Sequence, residues 1–263
     1  MYTTAADNGH ARAQWQLGYA YEDGLLGLKI DIEMALIWFK KAAAGGGNIF
    51  SRDAQFRLGK AHEFGELILA IDLEAARIWY QEAAEGGHDK AQFRLGKAHE
   101  FGELILAIDL EAARIWYQEA AEGGHDKAQC RLGFAYVYGH LGLKIDYDMA
   151  LIWFKEAAEG GHIISQWRLG AAYEDGDLGA VTNFETAFTY FQEAAVGGHH
   201  DAQRRLGRAY RDGTLGLKAD LEAATMWLQE AGDSEDEEEE EEEQEEEEPT
   251  DGLLHFSLYK RKV

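Results

Sequence analysis

Apolar positions recur along this chain at helical spacing, in a block that returns six times. Its first half reads Ala-Gln-x-x-Leu-Gly-x-x-Tyr. At Ala13, Leu17, Ala20 and Tyr21 the apolar residues fall at i, i+4, i+7 and i+8, one stripe of a helix. The Leu-Gly pair is found at 17–18, 58–59, 95–96, 132–133, 169–170 and 206–207. A Gly inside a helix costs up to ~1 kcal/mol of propensity, so its return predicts close helix–helix approach. A Gly-bearing loop such as 23–28 follows. A second helix is then predicted from Asp31, Asp72, Asp109, Asp146, Asn183 or Asp220, whose side-chain oxygens can accept a hydrogen bond from an orphan backbone N–H. Its stripe is Ala35, Trp38, Phe39 and Ala42, and Gly45-Gly46 or an equivalent pair ends it. The aromatic landmark recurs at Trp38, Trp79, Trp116, Trp153, Tyr190 and Trp227, and Trp116, in mid-array, is expected to be buried.

Residues 54–90 recur without a change at 91–127, by recent tandem duplication or as two equal docking surfaces. The segment Ala5–His10 matches the close of the later units, so the chain opens part-way through a helix of an earlier repeat. The resulting division is 1–10, the end of a repeat; six repeats at about 11–51, 52–88, 89–125, 126–162, 163–199 and 200–232; an acidic segment, 233–248; and a C-terminal peptide, 249–263. Neither helix of a unit can bury its stripe alone, whereas stacked pairs bury it continuously. The predicted fold is all-α, an α-solenoid of helix-turn-helix repeats with an acidic tail.

Leu-Gly-x-x-Tyr also occurs in tetratricopeptide repeats, which are shorter at 34 residues. Ala-x-x-x-Leu-Gly-x-x-Tyr, then Gly-x-x-Gly, Asp, Ala, Trp-Tyr/Phe and Ala-Ala-x-x-Gly, closely resembles the Sel-1-like repeat family over residues 5–232. The resemblance implies a right-handed, tetratricopeptide-like superhelix that serves as an adaptor in signalling, protein quality control or host–microbe contact. Repeats two and three depart from the pattern: His62 and His99 stand at the Tyr position, Ile68 and Ile105 at a loop Gly, and a tighter or differently packed loop is expected there.

The first helices of such solenoids line the inner face. With Ala13 and Leu17 in the core, the third, seventh and tenth positions point away. The third reads Trp15, Phe56, Phe93, Cys130, Trp167 and Arg204; the seventh Tyr19, Lys60, Lys97, Phe134, Ala171 and Arg208; the tenth Glu22, Glu63, Glu100, Val137, Glu174 and Arg211. Aromatic and Arg side chains anchor protein interfaces. The candidate partner-binding residues are therefore Trp15, Tyr19, Phe56, Lys60, Phe93, Lys97, Phe134, Trp167, Arg204, Arg208 and Arg211; the alternative packs the third-position aromatics on the neighbouring repeat. Arg204, Arg205, Arg208 and Arg211 share one helix. They read either as a solvated end of the array or as a receptor for carboxylates or phosphates.

Composition narrows the chemistry. The 263 residues carry a net charge of −24, with one Cys and one Pro. One Cys excludes an intrachain disulfide framework and a Cys-based zinc cluster, and sets the chain apart from disulfide-pinned secreted relatives. Sparse Cys and the lack of a signal peptide favour a reducing, cytoplasmic compartment, although a segment ahead of residue 1 could carry a targeting signal. No apolar run reaches membrane-spanning length, and the acidic balance argues against nucleic acid. Residues 233–248 hold 14 acidic groups and no base, which leaves −12 on residues 1–232 and reads as a solvated segment. It could fold back on the repeat-six arginines.

The series His88, His125, His162 and His199 reads as loop-stabilising rather than metal-binding, and Gln14, Gln55, Gln92, Gln129, Gln166 and Gln203 as hydrogen-bonding between repeats. Cys130 reads as inert. No catalytic or nucleotide motif is present, and no cofactor or metal is expected. The leading function is a non-enzymatic scaffold for a partner peptide or helix of unknown identity. The alternatives are an acidic-tail chaperone for basic proteins such as histones and, with no motif behind it, a hydrolase.

Overall fold

The computed structural model describes residues 2–232, and among them all regular structure is helical. The acidic segment, the peptide at 249–263 and the expected tail contact with repeat six lie outside the described residues. The chain divides into two compact units, Met1–Tyr190 and Phe191–Val263.

The first unit contains α1 (Tyr2–Asp7), then the pairs α2 (Ala11–Asp23) and α3 (Ile32–Ala43), α4 (Ile49–Phe64) and α5 (Leu73–Glu85), α6 (Asp89–Phe101) and α7 (Leu110–Glu122), and α8 (Asp126–Tyr138) and α9 (Tyr147–Glu159). It continues through α10 (Ile163–Asp175) into α11 (Phe184–Val196), where the units divide. The second unit holds the rest of α11 with α12 (His200–Asp212) and α13 (Leu221–Ala231). In the first unit each helix from α1 to α9 packs on the next in chain order, and in the second α12 packs on α13, the stacked-pair arrangement of an α-solenoid.

Within a pair, the recurrent Gly sets the approach. A Cβ on Gly96 would lie 2.7 Å from the Tyr117 ring, on Gly59 2.8 Å from Tyr80, and on Gly133 2.7 Å from Phe154. These rings, with Phe39, are the largest fully buried side chains of the unit. The deep aromatic is thus the residue after the tryptophan landmark. Trp116 is only half-buried, at the edge of the cluster around Tyr80, and the expectation that it is buried is corrected. The helical step of about 100° per residue turns Tyr117 into the stripe with Ala113 and Ala120, and leaves Trp116 at its margin.

The predicted caps form. Asp31, Asp72, Asp146 and Asn183 each accept a hydrogen bond from the backbone N–H three residues on, at 2.9–3.0 Å. At the other end, Gly87 (φ 87°) and Gly124 (φ 87°) take the left-handed turn into the next repeat. Repeat one is four residues longer than the others, and α4 takes up the excess as one more turn at its start, capped by Asn48.

The loop between paired helices keeps one conformation throughout. Leu26 and Gly27 have φ of 56° and 76°, and Leu141 and Gly142 of 55° and 70°. In repeats two and three Leu67-Ile68 (49°, 55°) and Leu104-Ile105 (51°, 60°) adopt the same path. The expected different loop is therefore not found: a β-branched residue is held at positive φ, a strained state, because the buried leucine beside it fixes the turn. Ile68 and Ile105 are left about two-thirds exposed.

Candidate partner-binding face

Three of the four third-position aromatics pack against neighbours of known geometry. Phe56 stacks on His88 at 4.7 Å between centroids and leans on Tyr80 at 5.6 Å. Phe93 does the same with His125 (4.6 Å) and Tyr117 (5.6 Å). Trp15 meets Tyr19 edge-on at 5.0 Å and lies 5.7 Å from Phe50. All three, and Trp167, are half-buried, and the ring partners of Trp15, Phe56 and Phe93 fall within their own repeats. At the seventh position Tyr19 stands edge-on to Phe39 (4.9 Å) and Phe134 to Phe154 (5.0 Å), while Lys60 and Lys97 are partly exposed.

The histidines under these aromatics are helix caps. Nδ1 of His88 and of His125 accepts the backbone N–H of Ala91 and Ala128, each at 3.2 Å, and His162 and His199 do likewise toward Ser165 and Ala202 at 3.3 Å. An acceptor nitrogen must be unprotonated, and burial pushes the pKa of all four below the usual histidine value. The glutamines bridge repeats as expected. The side-chain amide of Gln92 donates to the Ala84 carbonyl (3.2 Å), and that of Gln129 to Ala121 (3.1 Å). Gln55, beyond the extra turn, bonds to Glu82 instead.

The tenth-position glutamates do not point away, which corrects the reading of that series. Glu100 is buried and Glu63 half-buried with its side chain largely covered, and each holds the arginine at the fourth position of the next repeat. Arg57 binds Glu22, Arg94 binds Glu63, and Arg131 binds Glu100 through Nε and Nη2. Arg57 and Arg94 also reach Glu66 (2.6 Å) and Glu103 (2.5 Å) through Nη1. The hydroxyls of Tyr80 and Tyr117 donate to Glu63 and Glu100, both at 2.7 Å. Burial works against the Arg57 and Arg94 charges, but the glutamates more than offset it and their pKa values rise. A sequence signal for these struts exists: Arg recurs at 57, 94, 131, 168 and 205, 37 residues apart.

The structure brings four candidate residues together. Tyr19, Phe56 and Lys60 line a cleft of about 580 Å³ between repeats one and two, walled by Arg57, Glu22 and Glu66, with Ile68 at its lip. Trp15 and Tyr19 line a smaller hollow of about 410 Å³ with Leu25 and Leu26. Phe93, Lys97, Phe134 and Trp167 occupy the same helix positions in repeats three to five. In the second unit, Arg204 lies 3.1 Å from Asp201 and Arg211 3.0 Å from Asp212, and Arg204, Arg208 and Arg211 are all half-buried. Cys130 is buried, and burial pushes its thiol pKa up to about 11, which disfavours the thiolate at neutral pH. Among the described residues there is no cluster that could hold a metal ion, and no helix long and apolar enough to cross a membrane.

Comparison with known proteins agrees with this construction. No curated protein matches the chain. A solved protective antigen of uropathogenic Escherichia coli, displaying an SLR fold, is 32% identical with a TM-score of 0.76; the match covers 88% of this chain and 47% of that one. This chain therefore spans about half the length of the antigen. A Sel1 repeat protein from Oxalobacter formigenes is 31% identical with a TM-score of 0.68, over 86% of this chain and 87% of that one. The Sel1 repeat model matches residues 11–47, 52–88, 89–125, 126–162, 163–199 and 200–236, and the chain belongs to the Sel1 repeat family.

Proposed function

We propose that this chain is a non-enzymatic scaffold that seats a partner peptide on the first-helix face of repeats one and two. The observation that carries the reading is the cleft itself. Two aromatic rings, Tyr19 and Phe56, a lysine, Lys60, and an exposed isoleucine, Ile68, meet in one concavity. Such a lining suits a partner side chain that is apolar with a polar neighbour.

Peptides selected from a displayed library on the full chain test the reading. Lys60→Glu and Ile68→Asp, both at solvent-reached positions, are expected to weaken the selected peptides roughly tenfold or more, as for anchor residues, with unchanged thermal melting. Binding that ignores both substitutions overturns the cleft as the seat. The second reading is tail-driven capture of basic proteins, carried by the 14 acidic groups of residues 233–248. Binding of that kind collapses as salt screens it and is lost on deletion of 233–263, whereas binding in an aromatic cleft survives both.

A further inference from the structure

The Arg–Glu strut between repeats is missing one partner at one place. At three successive junctions the Nε–Nη2 edge of the fourth-position arginine holds the tenth-position glutamate of the preceding repeat, with Nε–O distances of 3.3 Å for Arg57, 3.0 Å for Arg94 and 3.1 Å for Arg131. At the fourth junction the arginine is retained as Arg168, but Val137 stands at the glutamate's position. The deep aromatic below is a phenylalanine, as Phe39 is under the filled Glu22–Arg57 strut. Tyr80 and Tyr117, whose hydroxyls donate to Glu63 and Glu100, give way to Phe154, which has no hydroxyl. The loop carboxylate is altered too. Asp177 takes the place of Glu66 and Glu103, is one methylene shorter, and accepts the Leu178 N–H at 2.7 Å. Its other oxygen is 3.9 Å from Arg168 Nη2, too long for a hydrogen bond. The Arg168 Nε is buried and has no hydrogen-bond partner, while about a quarter of the side chain remains open to solvent. Three residues on, Ala171 replaces the lysine of repeats two and three, removing a long side chain from the same face.

A guanidinium edge left without an acceptor is costly, and a carboxylate matches it by two parallel hydrogen bonds. We propose that Arg168 is a receptor for a glutamate side chain of a partner polypeptide, which takes the part that Glu22, Glu63 and Glu100 play at the other junctions. The polypeptide nature of the occupant rests on the scaffold reading; the carboxylate chemistry rests on the three filled copies of the same strut. Val137 and Phe154 give the seat an apolar floor, so it selects a carboxylate on a carbon chain over a small hydrated anion.

The test uses N-acetyl-glutamate amide as the probe, titrated into the full chain at constant ionic strength and followed by the arginine Nε–H resonances. The expected result is a saturable shift at Arg168, with a dissociation constant on the order of 10 mM for a single bidentate pair. Arg57, Arg94 and Arg131 should move little, because their edges are occupied. N-acetyl-glutamine amide should produce no shift. Val137→Glu supplies the carboxylate from within, so it should abolish the response and raise the melting temperature. Should that variant fold poorly, Arg168→Lys keeps the charge but loses the paired donors, and the probe-dependent shift of the Leu169 backbone amide should then disappear; a shift that persists in it counts against the seat. A response shared equally by the surface residues Arg77 and Arg114, one of equal size with the glutamine probe, or one that persists in a folded Val137→Glu overturns the proposal. The probe does not need the cleft of repeats one and two. A silent Arg168 alongside intact peptide binding therefore sinks this site alone, and loss of peptide binding with a responsive Arg168 sinks only the cleft.

Discussion

Gly96 has no side chain, and the ring of Tyr117 takes the room that one would need. Gly96→Ala would gain up to ~1 kcal/mol in helix propensity but force a methyl group to within 2.7 Å of a buried ring. Overpacking of this kind costs ~1–3 kcal/mol, so a net loss of about 1–2 kcal/mol is expected in urea unfolding; a stabilised variant would show that the ring yields freely. This contact was legible from sequence, because a residue that is poor for a helix and yet returns six times requires a cause outside the helix. The arginine at the fourth position was not. Read within one helix it is an ordinary polar side chain, and its partner lies 31 residues back, on the preceding unit. Helical spacing places a residue on a face; it does not say which neighbour that face meets.

The α6, α8, α10 and α12 helices are capped by a histidine side chain, where α3, α5, α7, α9 and α13 use an aspartate and α4 an asparagine. Sequence suggested a loop-stabilising role, and the structure gives it a charge state. The capping Nδ1 is an acceptor only when neutral, and burial holds the folded-state pKa below the usual value. Unfolded chains therefore take up the proton first. Stability from these caps is intact above the unfolded pKa near 6.5 and falls as pH drops from there toward the folded pKa, where the loss levels off. Asn48 shows that a cap which does not titrate fits the same place on α4. The unfolding midpoint of His125→Asn is expected to fall less than that of the parent between about pH 7 and pH 5, the interval set by the histidine value. Equal slopes would mean that His125 does not cap its helix in solution.

Residues 54–90 and 91–127 are the same 37 residues twice, so deletion of 91–127 joins Lys90 to Ala128 across a junction of unchanged sequence. Because such arrays are held by nearest-neighbour interfaces, the shortened protein should fold, with circular dichroism showing the same helix content per residue and a melting temperature lower by a few degrees. Removal of 91–108 alone takes away one helix and leaves its mate's apolar stripe uncovered; that protein should precipitate or melt without cooperativity. A shortened array that fails to fold would deny the independence of the units. The stacking of helix pairs could be foreseen for the same reason, since period is a property of the sequence. Which repeats meet at a cleft could not, because that depends on how far Phe56, Lys60 and the lip at Ile68 stand from Tyr19. The two sides of a unit are unlike: one presents Gln92 and Arg94 as donors, the other Ala121 and Glu100 as acceptors. A copying slip that doubles such a unit creates one new seam, between the two copies, and that seam is already furnished with donors on one side and acceptors on the other. Growth of the array therefore needs no adjusting mutation, and the second copy can persist letter for letter.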